Sequence, residues 1–179
     1  MRADDVINFW FTQLEPKQWW VKDEALDSLI KSQFLATLNQ AKRGELYHWR
    51  TSIQGRLAEI IVLDQFSRNI YRGQPDSFSA DSIALVLSQE AISLGLDQSL
   101  NPEQKSFLYM PFMHSESATI HQVAVKLFKD NNLASNYEFE LKHKEIIDKF
   151  GRYPHRNNIL GRESTAEELA FLQQPGSSF

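Results

Sequence analysis

The sequence predicts an all-α protein built from stacked antiparallel helix pairs. Along most of the chain, apolar residues recur every three or four positions, which is typical of amphipathic helices, whereas strand-like alternation is hard to find. Helix-capping residues precede these segments and glycines follow several of them, and the segments between have the length of ordinary helices. The connections between segments are short, and short connections favour antiparallel packing of neighbouring helices.

Seven segments carry the helical pattern. The first, residues 23–44, is a five-turn amphipathic segment that ends at Gly44, a residue suited to a left-handed stop. Residues 51–69 are apolar around most of the circumference, so we expect a central helix there. The remaining helices are predicted at 79–95, 101–112, 115–132, 135–151 and 164–172. No tetratricopeptide signature recurs at a fixed period, so this pattern leaves a helical-pair solenoid and an irregular bundle open.

Polar residues at the segment starts predict N-terminal caps. Asn101 precedes Pro102, whose missing N–H costs nothing at the first helical position. Further caps are predicted at Ser79, at Ser115, at Ser135 with Glu138, and at Ser164 with Glu167. The apolar stripes predicted for the core include Ile83 and Val86 in one helix and Val123 in another.

Composition indicates one domain over residues 1–179 in a cytoplasmic protein. A chain of 179 residues with 42% hydrophobic residues can bury a sizeable core without covalent cross-links. It has no cysteine, which excludes disulfides, thiolate metal sites and cysteine nucleophiles and removes any need for an oxidising compartment. No apolar run reaches the ~18 residues of a membrane span. A net charge of −4 argues against nucleic acid as a partner.

Residues 63–73 contain the first polar cluster, in which Asp64 lies four residues before Arg68 and Arg68 lies four before Arg72. If the helix persists that far, the three side chains share one face. They would then form either a surface ion pair of about 0.3–0.5 kcal/mol or a partly buried set of donors and acceptors directed at a partner.

Two further clusters contain histidine. His114 and Glu116 flank the predicted cap at Ser115, and they are suited either to helix-end stabilisation or to acid–base chemistry. His114 and His121 are seven residues apart, roughly 10.5 Å along a helix, which is too far for both to bind one metal ion. His143 lies on the apolar face of its helix, a position more typical of a core histidine than of a catalyst.

Residues 150–162 form the strongest candidate, because they gather three arginines and a histidine without one acidic residue. Turn-forming residues, including Gly151, Pro154 and Asn157, hold this segment in a defined non-helical path. The cationic side chains are Arg152, His155, Arg156 and Arg162. Arginine presents planar, permanently charged donors that suit carboxylate or phosphate. Either the acids of the chain neutralise these cations in a structural network, or a cleft is left for an anionic ligand.

Four stretches closely resemble a bacterial family known as domain of unknown function family 924. They are "INFWF", "WRTSIQGRLAEIIVLDQFSRNIYRG", "FLYMPFMHSE" and "HKEIIDKFGRYPHRNNILGRESTAEELAFL", and the resemblance covers about residues 4–173. It implies a tetratricopeptide-like right-handed superhelix of helix pairs, and it implies no activity. The family pattern coincides with Asp64, Gln65, Arg68, Asn69, Arg72, His114, Ser115, Glu116, His143, Arg152, His155, Arg156, Asn157, Arg162, Ser164 and Glu168. The chain departs from it at His121, where relatives tend to carry an acidic residue.

Two functions from different classes follow. The first is a pocket that binds a small anionic ligand bearing phosphate or carboxylate, with or without enzymatic activity. Its ligand-binding candidates are Asp64, Arg68, Arg72, Arg152, Arg156, Asn157 and Arg162, and its candidate catalytic groups are His114, Glu116, His143 and His155. The second is a helical module that binds a protein or peptide, with the same residues forming a structural network. No sequence motif indicates a nucleotide, dinucleotide or metal cofactor.

Overall fold

The computed structural model describes residues 1–178, and these residues form helices and turns with no strand among them. The predicted all-α class is therefore confirmed. The α-helices are α1 Ala3–Asn8, α2 Glu24–Lys42, α3 Ile53–Ile61, α4 Ser67–Ile70, α5 Asp81–Ser93, α6 Pro102–Met113, α7 Ala118–Asp130, α8 Ala134–Phe150 and α9 Ala166–Leu172. Short 3₁₀ turns connect several of them, including Pro75–Ser77 and Pro154–Arg156.

The helix α3 is central, as its apolar circumference predicts. Every residue from Leu57 to Leu63 is completely buried. Aromatic side chains pack around the end of this helix, and Phe66 lies against Phe9, Trp10 and Phe34. In the second half of the chain, α5 packs on α6, α6 on α7 and α7 on α8. Consecutive helices are therefore neighbours, whereas the right-handed tetratricopeptide-like superhelix stays a prediction.

A π-helical turn at Val62–Phe66 joins α3 to α4. Such turns insert an extra residue into a helix and are frequent at functional sites. Here the turn contains Asp64, whose side chain is 1% exposed. Helix α4 then ends at Ile70, so the helix does not persist to Arg72 and the predicted shared face is limited to Asp64 and Arg68.

The predicted cap at Asn101 is confirmed, since its side-chain oxygen accepts the backbone N–H of Gln104. Ser52 caps α3 in the same way, through the N–H of Gly55. Four other predicted caps are wrong. The helices α5, α7, α8 and α9 have their N-caps at Ala80, Ser117, Leu133 and Thr165, whereas the predicted caps were Ser79, Ser115, Ser135 and Ser164. At one of these positions a local bond competes with the cap, since the Ser79 hydroxyl donates to the carbonyl of Asp76 in the preceding turn.

The predicted core stripes of α5 and α7 are partly wrong. Val86 is 60% exposed and Val123 is 43% exposed. The core face of α5 is formed by smaller residues, including Ala84, Ser88 and Ala91, which allow α6 to approach closely. Apolar periodicity therefore predicted the helix correctly but assigned the wrong residues to its buried face. None of the described helices has the length and apolar character needed to cross a membrane.

Candidate functional site

A histidine–aspartate pair lies where α6 ends against the π-helical turn. The Nδ1 atom of His114, the residue that follows α6, is 2.7 Å from Oδ1 of Asp64. Arg68 lies one turn after Asp64, with Nη1 3.1 Å from the same carboxylate oxygen. Burial disfavours the charged carboxylate, but His114 and Arg68 outweigh it and hold the pKa of Asp64 below its usual range.

The surroundings of His114 favour the neutral form of its imidazole. Burial, followed by the nearby Arg68 guanidinium, lowers the pKa of His114 from its ordinary value. Since Asp64 is a carboxylate that only accepts, Nδ1 of His114 must carry the hydrogen that joins the pair. The other ring nitrogen, Nε2, then carries a lone pair. A carboxylate that fixes the tautomer in this way makes the imidazole a proton acceptor.

Arg156 is buried beside this pair with an incomplete set of partners. Its side chain is 8% exposed, and its guanidinium carbon lies 4.5 Å from the ring centroid of Phe78 and 4.6 Å from that of Tyr153. Nη2 donates to the carbonyl of His114 at 3.0 Å. Asp81 forms an ion pair with Arg156, with a carboxylate oxygen 3.5 Å from Nη1, and Nε makes no hydrogen bond among the described residues.

Asp81 neutralises Arg156 only partly, because another arginine already occupies it. Arg68 donates from Nη1 and Nη2 to the two carboxylate oxygens of Asp81 at 2.8 and 2.9 Å. Burial, with a contribution from Arg68, lowers the pKa of Arg156 to about 10. The side chain therefore stays charged at neutral pH while its positive charge is poorly compensated.

Asp81, His114 and Arg156 line an open cleft of about 480 Å³, which we call the Arg156 cleft. It lies between the start of α5, the end of α6 and the loop that follows α8. Its polar lining is Ser79, Asp81, Ser82, His114, Ser115, Glu116 and Arg156, and its apolar lining is Pro75, Phe78, Leu85, Pro111 and Leu160. A concave, largely apolar recess with a few converging polar groups is typical of small-molecule sites.

The end of α6 is held by side chains from the second half of the chain. The last carbonyls of a helix have no partner within it. Here the Tyr153 hydroxyl donates to the carbonyl of Met113, and Nε2 of His121 lies 2.8 Å from the carbonyl of Ser115. Together with the Arg156 bond to the His114 carbonyl, they bind three consecutive carbonyls, which we call the α6 clasp. The clasp fixes the backbone that carries His114.

The other predicted cations are paired with acids of the same chain. Arg162 donates to both carboxylate oxygens of Glu116, at 2.6 and 2.9 Å. Arg152 does the same to Glu168, at 2.7 and 2.8 Å. The amide of Asn157 links these two pairs, since it donates to Glu168 and accepts from Nε of Arg162. This part of the predicted site is a connected network, although Glu116 also reaches the cleft wall.

Arg72, His143 and His155 lie outside the cleft lining. Arg72 donates to Asp27 of α2, at 2.5 and 2.8 Å. Burial lowers the pKa of His143 to about 3 and that of His155 to about 4. His143 binds the carbonyl of Phe139, while His155 lines a second recess beside α9. No group of histidine and acidic residues among positions 1–178 is arranged to hold a metal ion.

Three residues of the site were not predicted from the sequence. Asp81 resembles an ordinary acidic residue in the first turn of a helix, and Phe78 and Tyr153 resemble core aromatics. Their roles depend on contacts across many positions, for which the sequence gives no local signal. His121 is completely buried, with Nδ1 2.7 Å from Glu140, so it serves the packing of α7 on α8 and the clasp.

The comparisons with known proteins agree with this architecture. The family model described as bacterial protein of unknown function (DUF924) matches residues 6–176. The chain belongs to this family. A solved structure of a protein of unknown function from Agrobacterium tumefaciens is 35% identical, with a TM-score of 0.91 and 96% of each chain covered. A search of curated proteins finds no match. The helical architecture of this chain is thus shared with that solved structure.

Proposed function

We propose that this DUF924 protein binds a small anionic ligand in the Arg156 cleft and that His114 accepts a proton there. One observation carries the proposal: a buried, incompletely paired arginine and a neutral histidine oriented by a buried aspartate line the same open cleft. Phosphate and carboxylate are the anionic groups that arginine binds best.

The anion is expected at Arg156 because a buried cation is costly unless it is paired. Its nearest carboxylate, Asp81, is 3.5 Å away and receives two shorter bonds from Arg68. A ligand anion in the cleft would supply the missing negative charge. The other arginines of the loop, Arg152 and Arg162, need no ligand anion, because each donates two hydrogen bonds to a carboxylate of the same chain.

The proton-transfer role is expected at His114 because its protonation state suits a general base. Asp64 holds Nδ1–H, so Nε2 keeps its lone pair, and a neutral imidazole at neutral pH is ready to accept a proton. Protonation would place a second positive charge beside the bound anion and be stabilised by Asp64. The proposal therefore includes an enzymatic step of proton abstraction.

A second candidate function is a helical module that binds a protein or peptide. The network of Arg152, Glu168, Asn157, Arg162 and Glu116 favours it, because these family-pattern residues bind one another. In this alternative the whole polar set locks helices together. A tetratricopeptide-like groove would then supply the binding surface. We expect either function in the cytoplasm, since the chain has no cysteine to protect or oxidise.

A thermal-shift screen with phosphates, nucleotides and carboxylates tests the proposal. A ligand at 100 times its Kd stabilises the folded state by ~2.7 kcal/mol, which raises Tm by several degrees. Arg156→Lys keeps the charge but loses the planar donors, so it should lose most of the shift. Arg152→Lys is the matched control, because Arg152 lies outside the cleft, and it should keep the shift.

Two results would contradict the proposal. One is a screen in which no anion raises the Tm of the wild-type protein. The other is a ligand whose shift survives Arg156→Lys and disappears with Arg152→Lys, which would place the site in the paired network. His114→Asn separates binding from chemistry, because it should retain the ligand shift and lose any turnover.

A further inference from the structure

The charges of the Arg156 cleft restrict the anion that it accepts. Two carboxylates, Asp81 and Glu116, line the cleft, and a third, Asp64, lies behind His114. Arg68 and Arg162 are each bound to carboxylates by two short bonds. Arg156 is the lining cation whose Nη1 makes only a loose contact, 3.5 Å, with a carboxylate. A dianion such as a phosphate monoester would bring a second negative charge toward these acids with no second cation to meet it.

The setting of Arg156 also restricts the shape of the anionic group. The rings of Phe78 and Tyr153 lie 4.5 and 4.6 Å from the guanidinium carbon, so they restrict the movement of this planar group. The N–H bonds of the group lie in its plane, and a planar carboxylate matches such a fork better than a tetrahedral phosphate does. The loose 3.5 Å contact from Nη1 to Asp81 leaves that nitrogen able to donate to a ligand.

The rest of the lining indicates an apolar body. Phe78, Leu85, Pro111 and Leu160 contribute apolar side chains, and no further cation lines the cleft within the part of the chain that the structure describes. The hydroxyl groups of Ser82 and Ser115 are neutral. A volume of about 480 Å³ lies within the range of pockets that enclose small organic molecules.

We infer that the Arg156 cleft selects small monocarboxylates with an apolar body and rejects phosphate esters that carry the same apolar body. This inference rests on the proposed function and narrows it. The carboxylate binds the guanidinium of Arg156, and the apolar body packs on Phe78, Leu85, Pro111 and Leu160. The proton that His114 accepts then comes from a group near the carboxylate.

Four probes test this inference, and phenyl phosphate differs from benzoate both in the shape and in the charge of its anionic group. Benzoate has the monoanion and the apolar ring, benzamide has the ring without the charge, acetate has the charge without the ring, and phenyl phosphate has the ring with a tetrahedral group. The readout is the methyl NMR spectrum of leucine-labelled protein, in which Leu85 and Leu160 report the cleft and Leu29 of α2 reports a surface outside it.

Benzoate should shift the Leu85 and Leu160 signals saturably, and the other three probes should bind roughly tenfold more weakly or worse, the effect of losing one charged hydrogen bond or the ring contact. Arg156→Lys should weaken benzoate by a similar factor, and Arg152→Lys should leave it unchanged. Leu29 should not move.

Phenyl phosphate that binds as tightly as benzoate would overturn the inference and leave the proposed anion site standing. Benzamide that binds as tightly as benzoate would overturn both, because charge would then be irrelevant. If no probe shifts the two leucines at ~20 mM, where even millimolar ligands saturate, the inference is wrong, and the anion screen with its Arg156→Lys control still decides the proposed function separately.

Discussion

The α6 clasp predicts a measurable cost for the loss of a single oxygen atom. Tyr153 is completely buried, and its hydroxyl donates to the carbonyl of Met113, a residue that is 3% exposed. Nε2 of His121 lies 3.1 Å from the same hydroxyl. Tyr153→Phe keeps the ring and its packing, removes the donor and leaves a buried carbonyl without this partner. An unsatisfied buried acceptor costs ~1–3 kcal/mol.

For a chain of this length, each kcal/mol lowers Tm by ~2–4 °C, so Tyr153→Phe should melt ~4–8 °C below the wild type if the cost is ~2 kcal/mol. Urea unfolding followed by circular dichroism would show the same loss as a lower midpoint with an unchanged slope. Tyr47→Phe is the matched control, because Tyr47 is 69% exposed, and it should leave Tm unchanged. A Tyr153→Phe variant as stable as the Tyr47→Phe control would refute the clasp.

Three further predictions concern other parts of the molecule. Because burial lowers the pKa of His143 to about 3 and that of His155 to about 4, the unfolded chain binds more protons than the folded one below pH 6.5. The free energy of unfolding should therefore fall as pH decreases from 6.5, by ~2 kcal/mol per histidine at pH 5. Urea titrations of His143→Gln should show a smaller fall in this free energy over the same pH range. A fall equal to that of the wild type would contradict the prediction. Gly55→Ala should destabilise by on the order of 3 kcal/mol in the same assay, because its Cβ would lie 1.9 Å from the Trp49 carbonyl oxygen; wild-type stability would show that the two segments separate freely. Arg72→Gln breaks a partly exposed ion pair and should cost no more than ~1 kcal/mol, with the anion-induced Tm shift intact; loss of that shift would bring Arg72 into the site.

The sequence predicted the helices well because amphipathic periodicity is a local property. The central position of α3 follows from its apolar circumference, and the start of α6 follows from Asn101 and Pro102. The faces of α5 and α7 did not follow, because the exposure of Val86 and Val123 depends on which neighbour each helix packs against.

The candidate site could be predicted only in part. Asp64 and Arg68 are one helical turn apart, so their pairing is readable from spacing, whereas His114 reaches Asp64 across 50 positions. Whether an arginine is paired or left incomplete depends on such distant contacts. Arg162 finds Glu116 at a separation of 46 residues, and Arg156 finds its best carboxylate already occupied. The sequence indicates that the arginines cluster, but only the fold distinguishes the paired Arg162 from the incompletely paired Arg156.

The state of the His114 imidazole tests the central claim most directly, because the proposed chemistry needs a neutral ring with its proton on Nδ1. Long-range ¹H–¹⁵N NMR of histidine-labelled protein at pH 7, with His114→Asn used to assign the signals, reports both nitrogens. The account predicts a protonated Nδ1 and an unprotonated Nε2 for His114. A ring protonated on both nitrogens, or on Nε2 alone, would contradict it.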